Sequence, residues 1–259
     1  MFKRSLSLLL VLVMILSFVT GCTSTNQTSL VAQPAEAASA VKATGKAPKY
    51  IFMFIGDGMS AVQVNSAQIY GGTNEHNNMQ LDKMNFQDFE AVGYQTTQDA
   101  TSFAPDSAST ATSLSSGFKT WSGTIGLKPV GNKSGNKLEN VNSDKIPMTI
   151  AERLKEEKDM KIGIISSVTI NHATPAAYYA HVSSRNDYYD IAMQMADTDF
   201  DYFGGGHINQ PTGKNKDQKD AYEVLEEKGY TVARTKEEIL ALNSNSGQSY
   251  AVSPVHVGE

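Results

Sequence analysis

The chain has little cysteine, no excess of positive charge and no long apolar run. Cys22 is the only cysteine in 259 residues, so an intramolecular disulfide is excluded. The formal net charge of −5 argues against nucleic-acid binding through a basic surface. The N-terminal apolar run, residues 8–19, is short for a membrane span, and the sequence has no internal repeat.

The remaining composition suits a globular α/β domain. Apolar residues make up 40% of the chain and charged residues 19%, which permits one domain with a sizeable core. Predicted strands and helices alternate, so we expect a three-layer α/β sandwich with a central, mostly parallel sheet. A surface loop is predicted at 129–142. Strands are predicted at 50–55, 161–168, 201–203, 230–233 and 248–257, and helices at 108–116, 147–159, 188–195, 220–228 and 236–242.

The N-terminus has the pattern of an export signal. Lys3 and Arg4 precede the apolar run at 8–19, and the run ends in Val-Thr-Gly-Cys22, which resembles a bacterial lipobox. We expect residues 1–21 to be removed, Cys22 to be lipidated, and 22–47 to form a flexible tether. The protein would then be exported and anchored to the membrane on the cell-surface or periplasmic side. An ordinary cleaved signal with an incidental cysteine is the alternative.

Residues 105–112, Pro-Asp-Ser-Ala-Ser-Thr-Ala-Thr, indicate a nucleophilic serine at the start of a helix. The small residues that follow Ser107 can form a helix, whose first N–H groups would face an anion bound there. Asp106 stands beside this serine. The alternative is that Asp106 or Ser107 only caps the helix, the usual role of Asp and Ser at this position.

Two further polar clusters follow predicted strands. Asp57 lies between two glycines after strand 50–55, where it could contact a metal ion or simply occupy a turn. His172, Thr174 and Arg185 follow strand 161–168. Each could be an ordinary loop or surface residue, but three strand-end clusters in one chain favour a common site.

Together these residues resemble the alkaline phosphatase family over nearly all of the chain from Lys49 onward. The resemblance implies that Ser107 forms a phosphoseryl intermediate and that Arg185 binds the phosphate. It implies that Asp57 bridges a zinc ion and the third metal, to which Thr174 supplies an oxygen. Two Zn²⁺, one Mg²⁺, phosphate monoester substrates and a homodimer are the family's expected cofactors and partners. The motifs that carry this resemblance are Ile55-Gly-Asp-Gly-Met59, Asp106-Ser-Ala108, Ser116-Gly-Phe-Lys-Thr120, Ala173-Thr-Pro175, residues 181–185 and Gly204-Gly-Gly206.

Elementary chemistry agrees with these roles. A serine hydroxyl is a weak nucleophile, and a coordinated Zn²⁺ would stabilise its alkoxide. The planar guanidinium of Arg185 can donate two hydrogen bonds to the nonbridging oxygens of phosphate. We expect Asp106 to orient Arg185 or a neighbouring water rather than to act as a base.

The sequence departs from the family in two respects. His172 stands where many bacterial relatives have an acidic residue, and direct coordination by imidazole would favour Zn²⁺ or Co²⁺ over Mg²⁺. The chain also ends where family members continue, so residues 48–259 would be the N-terminal portion of the domain. None of its five histidines stands in an Asp-x-x-x-His or Asp-His pattern typical of the remaining zinc ligands. We therefore expect the chain alone to hold zinc weakly.

Two other functions stay open from the sequence. One is a related metal-dependent hydrolase, such as a phosphodiesterase or sulfatase. The other is a catalytically silent surface lipoprotein that at most binds phosphate.

Overall fold

The computed structural model describes residues 47–129 and 146–253. The chain divides into two units, Met1–Phe54 and Ile55–Glu259. The predicted signal peptide, Cys22, almost all of the tether and nearly all of the predicted loop at 129–142 lie outside the described residues. Within the described ranges, no helix is both long enough and apolar enough to cross a bilayer.

The predicted strand at 50–55 was wrong. These residues form no strand, and their apolar side chains are between 38% and 91% exposed. A strand is stabilised by the hydrogen-bond ladder to a neighbour, and none of the ladders among the described residues includes this segment. Apolar composition alone therefore did not produce β structure here.

The second unit contains a four-stranded sheet in which every ladder is parallel. Its strands are β1 (Gly163–Thr169), β2 (Tyr202–Gly206), β3 (Thr231–Ala233) and β4 (Ser249–Val252), in the order β1-β2-β4-β3. Representative pairs are Ile164↔Phe203, Phe203↔Tyr250 and Val232↔Tyr250. Because the strands are parallel, all their carboxyl ends lie at one edge of the sheet.

Helices flank this sheet, which confirms the predicted α/β class. The α-helices are α1 (Ala61–His76), α2 (Ser107–Ser116), α3 (Ile150–Lys158), α4 (Ala173–Ala176), α5 (Tyr188–Asp197), α6 (Ala221–Glu227) and α7 (Lys236–Ala241). A short 3₁₀ helix, Asn85–Asp88, lies between α1 and α2. α5 packs against α6, and α6 and α7 both pack against β3, while α4 contacts β1 and α2.

The core is centred on Phe203 of β2, which is fully buried. Its ring contacts Tyr179 edge-on at a centroid distance of 5.4 Å, Phe200 at 6.1 Å and Tyr230 at 5.9 Å. Aromatic pairs at these separations add to the free energy gained by burial. This cluster fixes β2 between the helices and the neighbouring strands.

Asn171 fixes the loop that leaves β1. Its side chain is completely buried, and its amide nitrogen donates to the carbonyl oxygens of Tyr188 at 3.0 Å and Asn209 at 2.9 Å. Its amide oxygen accepts from the Asn209 N–H at 2.9 Å. The segment after β1 is thereby tied to the segment after β2, at the carboxyl edge of the sheet.

Candidate active site

Ser107 is the first residue of α2, and Asp106 is its N-cap. The Asp106 side chain accepts a hydrogen bond from the Ser109 N–H at 3.1 Å, and the helix ends at Gly117 in a left-handed conformation with φ 77°. A helix cap and a nucleophilic serine are thus compatible at this position, because capping by Asp106 leaves Ser107 at the positive end of the helix dipole. An anion beside Ser107 would be stabilised there.

Asp57 lies beside both hydroxyl-bearing site residues. Its Oδ2 accepts from Ser107 Oγ at 2.8 Å and from Thr174 Oγ1 at 2.9 Å. Asp57 occupies a tight turn in which the Met59 N–H donates to the Gly56 carbonyl at 3.1 Å. Three oxygen atoms from three separate segments therefore converge on one point.

Arg185 belongs to a second cluster. Its Nη1 donates to Asp106 Oδ2 at 3.0 Å, and its Nη2 lies 3.3 Å from His172 Nε2. A guanidinium can only donate, so His172 Nε2 is the acceptor in this contact. The structure thus brings His172 to Arg185, and its predicted role as a metal ligand stays a prediction.

The two clusters adjoin through the covalent chain. Asp106 and Ser107 are consecutive, and His172 and Thr174 both stand at the start of α4, directly after β1. α2 also packs against α4. All six residues predicted for catalysis, substrate binding or metal binding accordingly lie in these two contact sets.

Asp106 is held in its ionised form. Burial by itself raises the pKa of this carboxyl, but hydrogen bonds from the Gly123 and Ser109 N–H groups, the Ser109 hydroxyl and Arg185 lower the pKa below its ordinary value. A carboxylate with a lowered pKa is a poor proton acceptor near neutral pH. The environment of Asp106 suits the orientation of Arg185 rather than proton transfer.

The main chain around Gly123 connects Asp106 and Arg185 a second time. The Gly123 N–H donates to Asp106 Oδ1 at 3.0 Å, and its carbonyl accepts from the Arg185 N–H at 2.7 Å. Next to it, Ile125 and Val182 form an antiparallel bridge. The arginine is thus held at both its backbone and its side chain.

His181 and Glu152 form an ion pair that anchors the segment carrying Arg185. His181 Nε2 is 2.9 Å from Glu152 Oε1, and its Nδ1 is 2.8 Å from the Gly126 carbonyl. A Cβ at position 126 would lie 2.3 Å from the Ala180 carbonyl oxygen and 2.5 Å from His181 Nδ1, so only glycine fits there. In the sequence, His181 belongs to the motif at 181–185, and no local pattern indicates Glu152 as its partner.

Burial and pairing act in opposite directions on His181. Burial lowers its pKa, but the hydrogen bond and charge of Glu152, with the Gly126 carbonyl, raise the pKa above its ordinary value. The same opposition holds for Glu152. Burial raises the pKa of this carboxyl, but the contacts with His181 and Thr149 lower the pKa below its ordinary value. Both directions favour the charged pair.

The oxygen cluster around Asp57 fits part of a divalent metal site. A carboxylate with two hydroxyl oxygens is an oxygen-rich set of the kind that Mg²⁺ and Zn²⁺ accept. Among the described residues, the one group of three or more His, Cys, Asp or Glu side chains close enough to share an ion is Glu75, His76 and Asp82. Asp57 belongs to no such group among the described residues.

Comparison with known proteins agrees with the sequence motifs. The family model "Alkaline phosphatase" matches residues 48–201. The human tissue-nonspecific alkaline phosphatase is 32% identical over 145 residues, which cover 56% of this chain and 27% of the relative. Alkaline phosphatase 4 of Drosophila melanogaster is 34% identical over 142 residues, covering 54% of this chain and 23% of the relative. The chain thus spans about a quarter of the length of these curated relatives.

Solved structures show the same relationship. The alkaline phosphatase of the Antarctic bacterium TAB5 superposes with a TM-score of 0.57 at 26% identity, covering 74% of this chain and 51% of the other. The cold-active enzyme of a psychrophilic Shewanella gives a TM-score of 0.58 at 25% identity, covering 76% and 44%. The family model matches more than half of the chain, and the chain belongs to the alkaline phosphatase family.

Proposed function

We propose that this chain provides the nucleophile and the phosphate-binding arginine for hydrolysis of phosphate monoesters through a phosphoserine. The observation that carries the proposal is the convergence of Ser107 Oγ and Thr174 Oγ1 on Asp57 Oδ2, at 2.8 and 2.9 Å. These contacts join three segments that the sequence separates by 50 and 117 positions. A capping serine alone would not account for such a constellation.

Asp57 orients the nucleophile. By accepting the Ser107 hydroxyl hydrogen, its carboxylate fixes the hydroxyl and leaves the oxygen lone pairs of Ser107 for attack. In-line attack of Ser107 Oγ on the phosphorus forms the Ser–O–P bond and breaks the bond to the leaving group, which departs as the alcohol with the proton that Ser107 gives up. Attack by water then breaks the Ser–O–P bond and releases inorganic phosphate, so Ser107 is regenerated.

Arg185 and the start of α2 bind the phosphoryl oxygens. The guanidinium carries the charge that a dianionic phosphate requires. Asp106 holds it through Nη1 and His172 contacts Nη2, and the N–H groups that these two contacts do not use would serve the ligand. The N-terminal dipole of α2 adds positive potential at Ser107. Both groups stabilise negative charge in the transition state as well as in the bound substrate.

The metals belong to the proposal. Bound Zn²⁺ would stabilise the serine alkoxide and the leaving oxygen, and Mg²⁺ at a third site would add positive charge beside them. Asp57, Ser107 and Thr174 supply oxygens for this set, with His172 as a further candidate ligand. Variants of the TAB5 alkaline phosphatase with one histidine replaced by aspartate or glutamate have Mg bound in the M3 site, which supports a magnesium site in relatives of this fold.

The test is covalent labelling in a single turnover. The full chain is incubated with Zn²⁺, Mg²⁺ and a ³²P-labelled phosphate monoester, quenched in acid and digested for peptide mapping. Label should appear on Ser107 and be absent from Ser107→Ala. Ser113→Ala is the matched control, because Ser113 lies in the same helix and its hydroxyl donates to the helix backbone at Ser109 O.

Parallel incubations with a phosphodiester and a sulfate ester separate the related activities. Label transferred only from the monoester supports the proposal. Faster reaction with the diester or the sulfate would assign the chain to another branch of metal-dependent hydrolysis. A chain that binds inorganic phosphate but never acquires label would be the silent phosphate-binding lipoprotein.

We place this activity outside the cell membrane, on a lipid anchor at Cys22. The support is the sequence alone: Lys3 and Arg4, the apolar run at 8–19 and the motif that ends at Cys22. Labelled palmitate should be incorporated by the natural chain and not by Cys22→Ser. A homodimer, common in the family, would be detected by sedimentation of the detergent-solubilised protein.

A further inference from the structure

Asp99 is a buried carboxylate outside every site motif. Only 8% of its surface is exposed. Its Oδ1 accepts from the N–H groups of Thr101 and Ser102, both at 2.6 Å. Its Oδ2 accepts from Ser109 Oγ at 2.9 Å and from Ser122 Oγ. One oxygen therefore fixes the carboxylate in its own turn, and the other reaches α2 and the segment before Gly123.

The first connection to the active site passes through Ser109. The Ser109 Oγ lies 2.9 Å from Asp99 Oδ2 and 2.8 Å from Asp106 Oδ1. A hydroxyl has one hydrogen, so it bonds strongly to only one carboxylate at a time. Ser109 is fully buried, and water cannot easily replace the missing donor. Asp99 thus determines whether Asp106 receives the hydrogen bond of the Ser109 hydroxyl.

The second connection passes through the main chain at Gly123. Ser122, which donates to Asp99, directly precedes Gly123. The Gly123 N–H donates to Asp106 and its carbonyl accepts from the Arg185 N–H. Gly123 has φ 81°, a left-handed conformation that lets its two polar groups reach both residues. Displacement of Ser122 would therefore move the partners of Asp106 and Arg185 together.

We propose that Asp99 is a positioning residue for phosphate binding, which acts through Ser109 and Ser122 to fix Asp106 and, through it, the guanidinium of Arg185. This inference rests on the proposed function, because it assigns to Arg185 the binding of phosphoryl oxygens. Asp99 itself touches neither substrate nor nucleophile. Its removal should loosen the guanidinium without altering the chemistry of Ser107.

Guanidinium NMR of the full chain reads this effect directly. The sequence has only four arginines, so the Arg185 resonance can be assigned with Arg185→Lys; the others are Arg4, Arg153 and Arg234. In the natural protein, rotation of the Arg185 guanidinium should be hindered by Asp106. In Asp99→Asn this rotation should become about tenfold faster, the change expected when one charge-assisted hydrogen bond is weakened.

Binding of inorganic phosphate is measured in parallel by calorimetry. Asp99→Asn should raise the Kd for phosphate by about tenfold, and Ser109→Ala should give a smaller change in the same direction. The double variant Asp99→Asn, Arg185→Ala should bind phosphate no more weakly than Arg185→Ala alone. Such coupling is the sign of one residue acting through the other.

Asp201→Asn is the matched control. Asp201 is also a partly buried carboxylate with several donors, namely Lys155, Lys161 and the Ile162 N–H, but it lies at the amino ends of β1 and β2. Its replacement should lower the melting temperature and leave both the Arg185 rotation and the phosphate Kd unchanged. A general loss of stability is thereby separated from loss of positioning.

The outcomes distinguish this inference from the proposed function. An unchanged Arg185 rotation in Asp99→Asn and Ser109→Ala, with only a lower melting temperature, would overturn the positioning role. Unchanged phosphate affinity in Arg185→Ala would instead refute the role of Arg185 in the proposed function, whatever the NMR shows. Should Asp99→Asn not fold, Ser109→Ala and Ser122→Ala, which keep both carboxylates, decide the matter by the same rotation measurement.

Discussion

At the scale of single residues, adjacent positions of one short segment perform different tasks. Asp106 faces Arg185 and the Gly123 backbone, while Ser107 faces Asp57. The N-cap position makes this possible, because its side chain turns back to the first helical turn while the next residue starts the helix. A one-residue shift of α2 would therefore remove the nucleophile and the arginine's partner together.

The first prediction concerns Arg185. Arg185→Ala should weaken binding of inorganic phosphate by roughly 2–4 kcal/mol, as other truncated charge-assisted pairs do. Arg185→Lys should recover only part of this, because an ammonium restores the charge but not the two-point hydrogen bonding. The measurement is phosphate affinity by calorimetry, or inhibition constants once turnover is detected. Arg234→Ala, which removes a surface arginine stacked on Tyr222 at 4.4 Å, should leave phosphate affinity unchanged.

The site residues differ in how visible they are in the sequence. Asp57, Ser107, Thr174 and Arg185 stand in motifs, and their predicted neighbourhood agrees with the contacts of the structure. Asp99, by contrast, carries no such signal, and neither does Ser122. They act through backbone groups and hydroxyls supplied from up to 23 positions away. Periodicity and local motifs do not encode contacts of that kind.

At the scale of elements, helices and strands with clear end signals were predicted well, and others were not. α3, α6 and α7 begin after Thr149, Asp220 and Thr235, each of which caps its helix by a side-chain hydrogen bond. α1 was not predicted, because it contains Gly71 and Gly72 and lacks an apolar stripe. Its capping box, Ser60 with Gln63, was the available signal.

The predicted and observed bounds agree closely for β1, but they differ for the strand that enters the triple glycine. The predicted strand 161–168 corresponds to β1, Gly163–Thr169. The prediction ended the next strand before the glycines, whereas β2 runs through Gly206. The close approach of Ile170 explains the difference, since a Cβ at Gly205 would lie 3.3 Å from Ile170 Cδ1. Tertiary packing, rather than strand propensity, determines this boundary.

The second prediction follows from the ion pair that links α3 to the segment before Arg185. The pKa of His181 is raised in the folded state, so its stabilising contribution is complete below the unfolded pKa of about 6.5 and is lost as pH rises through the folded value. The pKa of Glu152 is lowered, so its contribution is lost only as pH falls through that lowered value. The free energy of unfolding should therefore decline on the alkaline side, and His181→Gln should abolish most of this decline.

Urea denaturation of the full chain between about pH 6 and about pH 9 measures this slope. His76→Gln provides the control, because the His76–Asp82 pair at 3.3 Å is more exposed to solvent and should contribute little. An identical slope in the natural protein and in His181→Gln would show that the His181–Glu152 pair does not produce the pH dependence.

At the scale of the whole molecule, the described residues supply part of a metal site. The described residues bring Asp57, Ser107 and Thr174 together, whereas a tetrahedral zinc site needs four donors. Their one cluster of three acidic or imidazole side chains, Glu75, His76 and Asp82, involves none of these residues.

The last prediction is that the 259-residue chain retains little zinc and turns over slowly, although Ser107 acquires label in a single turnover. With an incomplete shell, stabilisation of the serine alkoxide should be largely lost. The measurement is metal content after dialysis against Zn²⁺ and Mg²⁺, together with steady-state hydrolysis of a chromogenic phosphate monoester. Glu75→Gln with Asp82→Asn removes the exposed cluster, so zinc bound there is not counted as active-site metal. Two zinc ions retained per chain in that variant, with normal turnover, would mean that residues outside the described ranges complete both shells around Asp57 and Ser107.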